Sequence, residues 1–300
     1  MDLDRLILGS NPIYGVDHFS SERARERSLR LSSDEITRVV KAAFSAGATG
    51  FNFSPQPIIC SVLTSLKKEG YNRRIALYPM LPDTQTYVTT QLNSGTAGMI
   101  GRLLGDLGVT SGARAVIQGG LSWLTTDPLR AMKLYLDLEI RKLNDIMPDN
   151  SSIRAVVAHE AVTDLALALR LDRLLRTYVE HIHDKHGLYA GFVTRNFPRF
   201  IEFCEEISLP LKELVVMTPF NRIGFQMTPN RRSCEQTLEK THMENVIAMS
   251  VMAGGQIGLG DAIKYLASLK LKSVCVGVST QTHAVETFQQ LGQRFLPRMP

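Results

Sequence analysis

Three hundred residues with 44% apolar content rule out a disordered chain and are enough to build one α/β barrel around a large core. The net charge of +5 comes from scattered basic residues. Such mild basicity fits a small anionic ligand, and no nucleic-acid partner is expected. Cys60, Cys204, Cys234 and Cys275 show no CxxC pair and no metal-ligand spacing. With no leader-like start and no run of about eighteen apolar residues, the chain is expected to be cytoplasmic, reduced and free of membrane contact.

Short apolar runs alternate with amphipathic ones along the chain. RLILGSN predicts a first strand, and DEITRVVKAAFSAGA a helix that stops at Gly47 before the strand GFNFS. RRIALYPML is a third strand. Residues 83–127 then resist placement; a helix over 86–106 and an extra strand at ARAVIQG are expected there, as a mostly helical insertion covering the barrel mouth. GTAGMIG within it lacks the Gly-Lys-Ser/Thr of a phosphate loop. DPLRAMKLYLDLEIRKLNDI predicts a helix capped by Asp127 with a proline in its first turn. Strand IRAVVAHE, one long helix TDLALALRLDRLLRTYVEHIHDKHG and strand YAGFVTRN follow. Three more pairs close the chain, with strands ELVVMTPFN, NVIAMSVMAGG and SVCVGVST.

These strands are apolar throughout rather than alternating, as in a parallel sheet covered on both faces. About eight strand–helix units in this length predict a single (β/α)8 barrel spanning residues 1–300. A doubly wound open sheet is the alternative, but the first turn, GSNPIYG, has no G-x-G-x-x-G.

In such a barrel the strand ends converge on one mouth. They offer Asn11, Tyr14 and His18; Asn52 and Ser54; Tyr78; His159 and Glu160; Thr194, Arg195 and Asn196; Asn221; Ser250; and Ser279 with Thr280. His159 is the leading candidate for acid/base work or for donation to a developing oxyanion, because a strand delivers it straight into the mouth. HIHDKH looks like a metal cluster, but only His183 and His186 have one-turn spacing and no carboxylate completes a set nearby in sequence. No metal is expected.

The closing stretches MTPFNRIG, NVIAMSVMAGG and SVCVGVSTQTHAVETFQQL resemble the end of an aldo/keto reductase barrel. LILGSNPIYG, GFNFSP, VVAHE and FVTRNF are similar to its earlier strands, and the resemblance spans most of the chain outside residues 83–127. It implies reduction of a carbonyl by NAD(P)H through an Asp, Tyr, Lys and His set. Only His159 matches that set; the aspartate position falls on Pro55 and the lysine position on Pro79, with no tyrosine in PQPIICSV. The resemblance also implies cofactor contacts at Asn196, Ser250, Gly254, Gly255, Gly277, Ser279 and Thr280, while Met217 and Met249 replace the expected glutamine and aromatic.

Three functions follow from this pattern. The first is a barrel enzyme acting on a small polar or anionic metabolite, with His159 and Glu160 catalytic. Asn11, His18, Asn52, Ser54, Arg195 and Asn221 would then hold the substrate. The second is an NAD(P)H-dependent carbonyl reductase whose proton donor has moved to Tyr14 or Tyr78. The third is a non-catalytic ligand-binding or regulatory subunit.

Overall fold

The computed structural model describes residues 3–14, 32–83, 127–269 and 271–294. His18, the side chain of Tyr14, and the helix and strand expected between residues 83 and 127 lie outside the described residues, Asp83 and Asp127 excepted.

Eight parallel strands close on themselves. They are β1 Leu6–Gly9, β2 Gly50–Phe53, β3 Ile75–Leu81, β4 Ser151–Ile153 continued past Arg154 by Ala155–Ala158, β5 Tyr189–Val193, β6 Val215–Pro219, β7 Val246–Met249 and β8 Ser273–Gly277. Each pairs with the next, and β8 returns to β1 with Gly9 opposite Gly277. The outer layer comprises α1 Ser33–Ser45, α2 Pro57–Lys68, α3 Pro128–Ile146, α4 Glu160–Ala168, α5 Asp172–Glu180, α6 Phe197–Glu206, α7 Arg231–Thr241, α8 Leu259–Ser268 and α9 Gln281–Arg294. This is the predicted (β/α)8 barrel.

Period-two alternation separates two cores. Ile7, Ala76, Tyr78, Ala155, Val157, Val215, Met217, Ile247 and Cys275 fill the barrel interior. Their neighbours Leu6, Leu8, Leu77, Val156 and Val216 face the helices. Phe192 anchors that outer layer, fully buried between the rings of Tyr178 and Phe200, with centroids at 5.3 and 5.1 Å.

Local chemistry set the helix starts. Asp127 caps α3 by accepting the Leu129 N–H at 3.0 Å, and Ser32 caps α1. The single long helix expected after β4 is instead two. Arg170 adopts a left-handed backbone (φ 53) and the Leu171 N–H turns back to the Ala166 carbonyl at 2.8 Å, ending α4. Arg170 is held in that unusual place by an ion pair to Glu206 at 2.8 Å and by stacking on Phe203. A π-helical segment, His181–Lys185, then follows α5.

Candidate active site

All the strands point the same way, so their carboxyl ends share one rim. At the end of β4 the His159 N–H donates to the Leu81 carbonyl of β3, which brings His159 beside Asp83. The ring caps α4: its Nδ1 accepts the Ala161 N–H at 3.1 Å. With Nδ1 an acceptor, the neutral ring carries its proton on Nε2. Burial lowers the pKa below the usual histidine value, against the opposing pull of Glu160 and Asp83, with Arg195 adding to the fall. At neutral pH this is an uncharged imidazole.

Asp83 was not among the sequence candidates, because it was assigned to the insertion. It is only 7% exposed, and its Oδ2 has no hydrogen-bond partner among the described residues. The signal was present in MLPD, an acid just past an apolar strand, where the other strands offered their candidates.

Glu160 and Arg195 meet across β4 and β5. The Arg195 Nε donates to Glu160 Oε2 at 3.0 Å, and its Nη2 donates to Oε1. Asp164 accepts from the Thr194 hydroxyl at 2.7 Å and from the Arg195 backbone N–H at 3.4 Å, so two carboxylates on α4 tie down the exit of β5. The arginine expected to hold an anion is therefore forked onto Glu160.

Tyr78 turns away from the mouth. Its ring is fully buried in the barrel interior, and its hydroxyl donates to Asp4 Oδ2 at 2.7 Å. Asp4 precedes β1, at the rim opposite the mouth. Gly50 leaves space for the ring, since a Cβ there would lie 3.0 Å from Tyr78 Cε2. Burial, and then the Asp4 carboxylate, push the hydroxyl above the ordinary tyrosine value, the reverse of what a proton donor needs. Tyr78→Phe is expected to leave mouth chemistry unchanged and to destabilise the fold by about 1–2 kcal/mol, read by denaturant unfolding.

Other candidates are held by the fold itself. The Asn52 amide donates to the Tyr78 carbonyl at 2.8 Å, deep in the wall. Asn221 bonds the Phe225 backbone N–H and carbonyl, both at 2.8 Å, pinning the turn after β6. Asn196 caps α6 and Thr280 accepts the His283 N–H at the start of α9. Ser250 takes a left-handed backbone in the turn after β7 and donates to Gln226 Oε1 at 3.3 Å; Gly254 and Gly255 continue that turn at positive φ. Gly277 is needed for packing, because a Cβ there would lie 2.4 Å from Pro12. Ser54 is buried, Ser279 is half-buried, and Asn11 is exposed at the start of a 3-10 turn ending at Tyr14.

No protein-family model matches the chain, and no curated protein matches it. Solved structures do. A protein from Pseudomonas aeruginosa assigned as an aldo/keto reductase superposes with a TM-score of 0.56 over 97% of this chain and 90% of its own, at 12% identity. An aldo/keto reductase from Bacillus halodurans in its holo form gives 0.53 over 88% and 84%, at 11% identity. The glycerol dehydrogenase of Gluconobacter oxydans gives 0.50 over 100% and 95%, also at 11%.

The chain has the aldo/keto reductase fold. In this barrel His159 stands at the end of β4, Pro55 is buried past β2, and the inward-packed residue beside Pro79 is Met80. At the positions that the resemblance implies for a nicotinamide, Asn196 is a helix cap, Met217 is buried in the barrel interior, and Met249 packs against that interior.

Proposed function

We propose that this chain is a barrel enzyme for a small polar or anionic, carbonyl-bearing metabolite, in which the neutral His159 ring donates an Nε2–H hydrogen bond to the oxygen that develops negative charge. One observation carries the reading. A neutral, Nε2-protonated imidazole stands at the strand-end rim beside Asp83, a buried carboxylate with an oxygen unpartnered among the described residues. Leaving such an oxygen unbonded costs about 1–3 kcal/mol, which a polar hydrogen on a ligand would relieve. Neutral imidazole is an effective electrophile toward a carbonyl because it donates without carrying charge into the site. Glu160 and Arg195 keep the two strand ends in register and hold the rim polar. The partner is a small molecule, in the cytoplasm.

A second reading is an NAD(P)H-dependent carbonyl reductase, favoured by oxidoreductase neighbours such as the glycerol dehydrogenase and the holo-form reductase. Its displaced donor would be Tyr14, since Tyr78 faces the far rim. One titration separates the readings. Purified protein is mixed with NADPH and NADH, following nicotinamide fluorescence, and with a panel of sugars, keto acids and phosphorylated metabolites, following the melting temperature. The first reading expects stabilisation and turnover of a panel member without nicotinamide. Saturable NADPH binding with carbonyl reduction would replace it with the second; stabilisation without turnover would mark a binding protein.

A further inference from the structure

We propose that Asp137, His181 and His186 form a site for a divalent transition metal of the zinc class on the outside of the barrel, joining α3 to the π-helical segment after α5. His181 and His186 are five residues apart, a spacing that an α-helix would place on diverging faces. The π-helical turn His181–Lys185 widens the repeat and returns both rings to one side. The carboxylate that the sequence lacked nearby arrives from α3: Asp137 Oδ1 is 2.8 Å from His181 Nε2 and 2.8 Å from His186 Nε2.

The donor set suits the ion. Two imidazole nitrogens and one carboxylate oxygen, all within 4.8 Å of one another, are three ligands of the type zinc takes, with a fourth position for water. Metal–ligand bonds near 2.0–2.1 Å place tetrahedral ligand atoms about 3.3 Å apart, so the two 2.8 Å contacts would open and the three atoms, now within 4.8 Å of one another, would settle at that spacing. Each ring then keeps its proton on Nδ1 and offers Nε2. The second carboxylate oxygen is already oriented, since Lys185 donates to Asp137 Oδ2 at 2.7 Å. Side-chain exposures of 8% for His181, 16% for His186 and 23% for Asp137 leave the site lined but reachable. It is remote from His159, and its predicted consequence is stability of the outer layer.

The test is Zn²⁺ added to chelator-treated full-length protein, following heat uptake and melting temperature, with Co²⁺ absorption as a probe of the ligands. Wild-type protein is expected to bind one ion per chain with a rise in melting temperature. His186→Ala and the isosteric Asp137→Asn should each weaken binding about tenfold or more, at least what loss of a supporting partner costs. His183→Ala, whose ring is exposed beside Asp184, should bind as wild type. Far-UV circular dichroism shows that each variant is folded. No saturable binding by the wild type, or binding unchanged in folded His186→Ala and Asp137→Asn, would overturn the site.

Discussion

His159→Asn is expected to lower turnover of whichever metabolite the chain accepts by about 10²–10³-fold, the range for losing a positioned hydrogen-bond donor to a developing oxyanion. Asparagine still offers an acceptor to the Ala161 N–H at the start of α4, so the fold should survive the change. What disappears is Nε2–H and the titration. The pH profile gives an independent reading. Because burial lowers the folded-state pKa, the unfolded chain takes up this proton first as pH falls below about 6.5. His159 therefore erodes stability progressively below that value, and the loss levels off once the folded ring is protonated. Turnover should fall over the lower part of the same window, because protonation of Nδ1 ends its hydrogen bond from the Ala161 N–H and frees the ring from its place. His159→Asn should flatten its share of the stability slope. An unchanged rate in a folded variant would remove His159 from the chemistry.

The largest expected loss of stability comes from Phe192→Ala, at about 3–5 kcal/mol. Phe192 is fully buried where β5 meets α5 and α6, and truncation would remove both ring contacts, to Tyr178 and to Phe200. The Tyr178 hydroxyl would stay fixed, since it donates to the Val156 carbonyl at 2.7 Å, so the void cannot readily close. A lower denaturant midpoint with an unchanged slope would report this loss as one of stability alone. Phe192→Leu should lose appreciably less, because most of the volume remains. A small effect from the alanine variant would show that the outer layer repacks.

Both variants rest on features read from different distances along the chain. The eight strands, the Asp127 cap and the placing of His159 at a strand end were legible because periodicity and capping act within a few residues. The break at Arg170 was not legible: a non-glycine residue in a left-handed turn is stabilised by Glu206 and Phe203, which no local pattern announces. Asp83 was not legible as a site residue, because its burial depends on packing rather than on its neighbours in the chain.

Sequence alone determined the barrel, its alternation of inner and outer faces, and the histidine that reaches the mouth. These depend on hydrophobic burial and on short-range hydrogen bonds, both written in neighbouring residues. Tertiary structure decided which way the polar groups turn. Tyr78 faces the far rim because Asp4, 74 positions away, accepts its hydroxyl hydrogen bond. Arg195 is engaged by Glu160, 35 positions away, and two histidines find Asp137 across 44 and 49 positions. A charged or polar side chain takes the partner that removes it from unsatisfied burial, and that partner is chosen by packing rather than by proximity in the chain.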